Sequence, residues 1–175
     1  SDYAHAKIKS INTSEASKMP GVIGVWTGKD FEDLNPLPCA WQAGGIDNNV
    51  NTPRVLEIDK VTFMGQGIAV VVADDRSSAE DACSRIIIDY EELPVIVSAE
   101  DAIQPGVTQL HENAPKNICI EWECGNQKGT DEALSNSDTL VKENLVNQRL
   151  IPTSMEPRGA IGQFAYSVKR TPYKK

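Results

Sequence analysis

The sequence predicts a mixed α/β fold of the α+β class, built from β-α-β units, and residues 60–97 indicate it most clearly. Residues 68–73 form an unbroken apolar run rich in branched side chains, which is typical of a strand buried on both faces. Ser77 and Glu80 then have the spacing of a capping box, so we expect a helix to begin there. A second strand, residues 86–90, completes the unit.

The helix of this unit has one small, apolar face, made of Ala79, Ala82, Cys83 and Ile86. A helix with such a face can lie close to a sheet. A short helix between two strands predicts a right-handed crossover, which makes the two strands parallel neighbours. We therefore expect residues 68–73 and 86–90 to pair in one sheet.

The first 27 residues predict a second β-α-β unit. Residues 1–11 alternate between apolar and polar side chains as a half-exposed strand does, and His5 falls on the polar face. Asn12 and Glu15 predict a short capped helix, and residues 22–26 predict the next strand.

Residues 30–53 form a long loop that is rich in proline, glycine and polar side chains. Loops of this length are often functional. Cys39 and Trp41 are its large or reactive groups. Trp41 either pins the loop onto the core or anchors a binding partner.

The second half of the sequence predicts shorter helices and strands. Residues 98–105 predict one helical turn and residues 118–124 a strand, after a connector. A helix over residues 129–137 has Thr130 as its expected cap. Two more strands are predicted, at residues 139–150 and 159–168.

The net charge of −8 argues against a nucleic-acid partner, because phosphate binding requires a basic surface. No apolar run approaches the roughly 18–20 residues of a membrane span, so no membrane partner is expected and the cytoplasm is the expected location. Cys119 and Cys124 lie five positions apart on a predicted strand and face opposite sides, which argues against a metal site or a disulfide.

Sequence motifs of catalysis are missing. There is no glycine-rich phosphate loop after a strand, no serine nucleophile elbow and no helical histidine pair for zinc. One polar cluster surrounds the turn between the last two predicted strands, and its members are Asn147, Gln148, Arg149, Glu156 and Arg158. An ion pair that fixes the turn and a role in a site are both open interpretations.

Several motifs, in order along the chain, resemble one family. GQGIAVVVADDRSSAEDACSRIIIDYEELPVIV is similar to a segment of the molybdopterin-binding large subunit of the xanthine dehydrogenase, aldehyde oxidase and carbon monoxide dehydrogenase family. YAHAKIKSINTSEASKMPGVIGVWTGKDF is similar to the opening of its α/β hammerhead domain, and LHENAPKNI follows in the family's order. VNQRLIPTSMEPRGAIG resembles the beginning of the molybdopterin-binding part.

The resemblance implies a hammerhead domain at residues 1–110, a linker at 111–127 and the truncated first strands of a molybdopterin-binding domain at 128–175. It implies a molybdenum–molybdopterin cofactor in the complete enzyme, with none bound by this chain alone. Gln148 is the one candidate cofactor-binding residue, and no catalytic or metal-ligating residue is expected. The implied partners are the remaining molybdopterin-binding polypeptide and the iron–sulfur and flavin subunits.

Two functional hypotheses follow. In the first, the chain is an N-terminal fragment or split subunit of a molybdenum hydroxylase, an oxidoreductase, where it acts as a scaffold and docks subunits without catalysing alone. In the second, it is a stand-alone, non-enzymatic α/β binding module that uses loop 30–53. An exposed strand edge would favour self-association, so a homo-oligomer is also considered.

Overall fold

The computed structural model describes residues 1–38, 49, 51–148, 150–151, 153–156 and 159–162. The chain divides into two compact units, Ser1–Gly125 and Asn126–Lys175, and each is described by itself. The strands are β1 (Ala6–Asn12), β2 (Val22–Thr27), β3 (Lys60–Val61), β4 (Ala69–Ala73) and β5 (Ile87–Glu92). The α-helices are α1 (Arg76–Cys83), α2 (Ala99–Ala102) and α3 (Gln127–Ser135). Short 3-10 helices occupy Ala16–Lys18, Gly28–Phe31 and Pro115–Asn117. The predicted mixed α/β class is confirmed.

Strand β1 is the centre of an antiparallel sheet with the order β3-β1-β5. Ala6 pairs with Val61 on one side and with Glu92 on the other. Ala6 and Val61 are fully buried and form the core together with Ile68. Partly buried apolar side chains pack around these three, namely Tyr3, Ile8, Ile11, Ile88 and Tyr90. The core of the first unit therefore lies against this sheet.

Strands β2 and β4 form a separate, two-stranded antiparallel sheet. Trp26 pairs with Val70 and Gly24 with Val72. Helix α1 packs against both strands and buries Ala82, which confirms that the small side of this helix approaches a sheet.

The predicted parallel pair is wrong. Strand β4 pairs with β2 and strand β5 pairs with β1, so residues 68–73 and 86–90 belong to different sheets. The β-α-β unit predicted for residues 1–27 is divided in the same way, because β1 and β2 also lie in different sheets. In each case the short helix carries the chain from one sheet to the other. The apolar run does not require burial on both faces, since Val70 and Val72 are 37% and 42% exposed.

The predicted capping box of α1 is also wrong. The helix begins after Asp75, whose Oδ1 accepts the backbone N–H of Ser78 at 2.9 Å. The Ser78 hydroxyl donates to the same carboxylate at 2.9 Å. Glu80, the expected partner of Ser77, instead accepts a hydrogen bond from Arg76 at 2.6 Å. An aspartate two positions earlier thus satisfies the free N–H of the first turn.

The later elements are confirmed only in part. Helix α2 forms as predicted, but α3 is capped by Asn126 instead of Thr130. Residues 118–124 form no strand beyond a single bridge at Ile120, and the described residues 139–148 have no regular secondary structure. The prediction for 159–168 lies mostly outside the described residues. A strand needs partners for its N–H and C=O groups, and the described chain does not pair residues 139–148 with any other strand.

Candidate functional site

The first unit contains a cleft of about 840 Å³ beside β3. Gln66 lines it and is 6% exposed. The Gln66 amide nitrogen donates to Glu57 Oε1 at 2.6 Å, and its oxygen accepts the backbone N–H of Thr62 at 2.7 Å. Glu57 Oε1 also accepts the backbone N–H of Arg54 at 3.2 Å. Both ends of the buried amide are thus bonded within the chain, and the network fixes the turn that follows β3.

Lys60 and His111 line the same cleft. The Lys60 ammonium donates to the backbone carbonyl of Leu110 at 2.6 Å. Burial lowers the pKa of His111 below its usual range, the Lys60 charge lowers it further, and the Glu57 carboxylate opposes both. The His111 imidazole therefore stays neutral to a lower pH than an exposed histidine does.

The cleft offers hydrogen-bonding groups and the imidazole of His111. Among the residues that the structure describes, no group of three or more histidine, cysteine or carboxylate side chains could hold a metal ion. The polar residues of the cleft form hydrogen bonds within the chain, and these bonds stabilise the loops around β3.

The alternation predicts His5 on the exposed, polar face of a strand, and this prediction is wrong. His5 is 3% exposed, and its Nδ1 lies 2.7 Å from the backbone carbonyl oxygen of Pro94. A carbonyl oxygen accepts, so Nδ1 carries the proton in this bond. Strand β1 begins only at Ala6, so the alternation of the strand does not extend to His5. No local signal in the sequence indicates the contact with Pro94, which lies 89 positions away.

The described cysteines are free and exposed, at Cys83, Cys119 and Cys124. The sequence predicts Cys83 on the apolar face of α1, but the residue is exposed because it is the last residue of the helix. Cys39 and Trp41, the notable side chains of loop 30–53, lie outside the described residues. The role of this loop as a binding surface therefore stays a prediction.

The second unit contains the predicted polar cluster. Gln148, Asn147 and Glu156 are exposed, while Arg149 and Arg158 lie outside the described residues. The ion pair expected at this turn and the cofactor-binding role of Gln148 both stay predictions.

Comparison with known proteins shows which family this chain belongs to. A model of the aldehyde oxidase and xanthine dehydrogenase a/b hammerhead domain matches residues 1–94, more than half of the chain. The chain belongs to this family. The resemblance carried by the sequence motifs is confirmed, and the two antiparallel sheets described above are those of a hammerhead domain.

The relatives of this hammerhead chain are much longer proteins. The carbon monoxide dehydrogenase large chain of Afipia carboxidovorans is 34% identical over 89% of this chain and 20% of its own length. The nicotine 6-hydroxylase large subunit of Paenarthrobacter nicotinovorans is 33% identical over 97% of this chain and 20% of its own length. A crystal structure of Cu,Mo-CO dehydrogenase is similar at 33% identity and a TM-score of 0.64, over 79% of this chain and 18% of the other. The chain spans about a fifth of these relatives.

The described residues around Gln148 do not by themselves enclose a site for the family's cofactor. Gln148 supplies a single exposed amide, and the described residues 138–147 before it form no regular element that could enclose a ligand. Within the described part of the chain, no helix has the length and apolar character needed to cross a membrane.

Proposed function

We propose that this hammerhead chain is the N-terminal part, or a separately encoded piece, of the large subunit of a molybdenum hydroxylase. In this proposal it is a scaffold that docks the other polypeptides of the enzyme, and it does not catalyse by itself. Its family membership supports the proposal, as does the length of its relatives, of which it spans about a fifth.

The exposure of apolar side chains in the second unit carries the proposal. Among the described residues of that unit none is buried. Six large apolar side chains are at least 80% exposed, namely Leu145, Val146, Leu150, Ile151, Met155 and Ile161. Each such side chain gains about 1.5–3 kcal/mol when it is fully buried. The segment is therefore suited to pack against further polypeptide, which we take to be the remainder of the large subunit.

The substrate is expected to be set elsewhere. Two relatives with nearly equal identity to this chain, 34% and 33%, are named for different substrates, carbon monoxide and nicotine. A segment that matches both equally well is not a good candidate for selecting between them. The molybdenum cofactor, too, would be held mainly by polypeptide beyond these residues, with Gln148 as the proposed contact from this chain.

The proposed partners are the remaining molybdopterin-binding polypeptide and the iron–sulfur and flavin subunits, in the cytoplasm. The proposed boundaries are a hammerhead domain at 1–110, a linker at 111–127 and the beginning of the molybdopterin-binding domain at 128–175. The carbonyl bonded to Lys60 belongs to Leu110, so the end of this proposed domain is attached to β3.

Native mass spectrometry of the endogenous complex, combined with molybdenum analysis, tests the proposal. We expect this chain in one particle with a molybdenum-bearing polypeptide and with iron–sulfur and flavin subunits. Recovery of the chain without any cofactor-bearing polypeptide would contradict the proposal and favour the stand-alone binding module. In that case deletion of loop 30–53 should abolish capture of its partner.

A further inference from the structure

The fold brings together the two histidines of the chain, His5 and His111. A positive charge on His5 lowers the pKa of His111, so the two imidazoles lie within electrostatic range of each other. His5 directly precedes β1, whereas His111 lines the cleft beside β3. Two protonated imidazoles in this position would repel each other.

The two ring nitrogens of His5 differ in their surroundings. Nδ1 donates to the backbone carbonyl of Pro94 at 2.7 Å. Nε2 is buried and has no hydrogen-bond partner among the described residues. A second proton on this ring would sit on Nε2, as a buried charge and a buried N–H without an acceptor. The observed position of Pro94 over the ring therefore suits a neutral His5.

Residues 94–111, which we name the strap, join the two histidine positions. At its beginning, the Pro94 carbonyl accepts the bond from His5. At its end, the Leu110 carbonyl accepts the Lys60 ammonium at 2.6 Å, directly before the second histidine. Each end of the strap is thus attached to the three-stranded sheet, to the residue before β1 at one end and to β3 at the other.

Between its ends the strap is open to solvent. None of its residues is buried, and Val97 is 88% exposed. The Asn117 amide donates to the carbonyls of Ala102 and Thr108 at 2.9 and 3.0 Å, but Asn117 belongs to a short 3-10 helix outside the sheets. A segment with so little buried surface has low local stability. Its attachment to the sheet therefore depends on its two ends.

The charges closest to His111 do not compensate a proton on its ring. The Lys60 ammonium lowers the pKa of His111, and burial lowers it as well. Glu57 is the opposing carboxylate. Its Oε1 already accepts hydrogen bonds from the Gln66 amide and from the Arg54 N–H. Protons on both histidines would add two positive charges to that of Lys60.

The other charged groups near the two rings are paired or exposed. Lys7 lines the same cleft and lies 3.7 Å from the Glu91 carboxylate. The remaining carboxylates of the cleft and of the segments beside His5 are exposed, so water and salt screen them, namely Asp59, Glu112, Asp2 and Glu92. A second proton on either ring therefore has no shielded acidic partner within the described chain apart from Glu57.

We propose that the strap is a pH-sensitive element, which stays attached to the sheet while His5 and His111 are neutral and is released when both take up a proton. Release brings water to Nε2 of His5 and separates the two imidazoles. Because His111 lines the cleft, release also opens one wall of it. The strap lies within the first unit, so this inference does not depend on the proposed function.

The direction of the pH dependence follows from proton linkage. In the released strap His111 has its ordinary pKa of 6.5, and in the attached strap its pKa is lower. The released form therefore binds more protons as the pH falls below 6.5. Attachment is strongest above this pH and weakens below it.

Residue-resolved hydrogen exchange of the whole chain, corrected for the intrinsic exchange rate, tests the proposal. The reporter is the Leu93 amide, which donates to the His5 carbonyl at 3.0 Å beside the beginning of the strap. We expect its protection to be at least about tenfold lower at about pH 5.5 than at about pH 7.5, since at least one proton is linked to release. Amides of β2 and β4 should keep their protection, and nitrogen NMR should show Nε2 of His5 protonated over the same pH range.

Three results with the wild-type chain would overturn the proposal. They are equal protection of Leu93 at both pH values, an equal loss throughout the first unit, and a protonated His5 beside a Leu93 amide that is still protected. This comparison decides even where a variant does not fold.

A variant arm removes the two protons. His5→Asn keeps a donor for the Pro94 carbonyl but cannot be protonated, and it is combined with His111→Gln. The double variant should protect Leu93 equally at both pH values. Glu112→Gln, a change at another titratable group of the cleft, is the matched control and should keep the wild-type pH dependence. A wild-type loss of protection in the double variant would contradict the role of the histidines.

Discussion

The two units of this chain carry apolar residues but use them differently. The first unit buries Ala6 and Val61 completely between paired strands. The second unit leaves Val146 and Leu145 at 80% and 88% exposure, without a strand partner among the described residues. Apolar composition alone therefore does not make a core, because the backbone of each strand must also find a neighbour. The first unit contains such neighbours, whereas the described residues 139–148 of the second unit have none within the described chain.

The largest expected effect on stability comes from removing the same two methyl groups from a valine in each unit. Val61→Ala should lower the free energy of unfolding by about 2 kcal/mol, since two methyl groups leave a packed site and a cavity remains. Val146→Ala removes the same atoms from the second unit and should change it by less than about 0.5 kcal/mol. Urea denaturation of the free chain measures both. Equal losses would show that the second unit has a core of its own.

A second comparison concerns glutamine. Gln66→Leu leaves the Thr62 N–H without its acceptor and removes the Gln66 hydrogen bond to Glu57 Oε1, which should cost about 1–3 kcal/mol of unfolding free energy. Gln148→Leu in the second unit is the matched change at an exposed amide and should stay within about 0.5 kcal/mol. Thermal unfolding of the two variants compares them. A loss at Gln148 as large as that at Gln66 would contradict the difference between the units.

The smallest expected effect on stability comes from changing the residues that cap helices α1 and α3. The Ser78 N–H and hydroxyl that donate to Asp75 lower the pKa of this carboxyl below its ordinary value of 3.8. A lowered pKa stabilises the fold at every pH above the ordinary value, and the contribution is lost as the pH falls through the lowered value. Asp75→Ala should therefore destabilise the chain at neutral pH and progressively less as the pH falls below 3.8.

Two controls accompany the cap experiment. Ser77→Ala should have little effect on stability. An effect equal to that of Asp75→Ala would show that Ser77 caps the helix, as the sequence predicts. Asn126→Ala removes the uncharged cap of α3, a helix without buried residues, so its effect should be small and independent of pH. Melting temperatures recorded between pH 2 and pH 7 give all three results.

The predictions from sequence succeed where a local rule decides the structure. The alternation in residues 1–11 predicts a strand, which forms from Ala6 onward, and the apolar run of β4 and the helical turn after Ser98 also give the predicted elements. The motifs spread along residues 1–94 also identify the family. These features depend on neighbours in sequence, which is the information that periodicity and motifs contain.

The predictions fail where the structure depends on distant residues. Strands β4 and β5 are not parallel neighbours, because β2 and β1 pair with them instead. His5 is buried and lies within hydrogen-bonding distance of Pro94, a contact that the alternation of nearby residues cannot reveal. Gln66 is a failure of a different kind, since its partners Glu57 and Thr62 are near it in sequence, but no sequence motif indicates the turn that brings the three together.

Hydrogen exchange tests the central claim most directly. Amides of β1 and β5 should be protected in the free chain and in the reassembled complex, because their partners lie within the first unit. Amides of residues 139–148 should exchange at the rate of an unstructured peptide in the free chain and become protected when the remaining large-subunit polypeptide is added. Full protection of residues 139–148 in the free chain, or no change on assembly, would contradict the account.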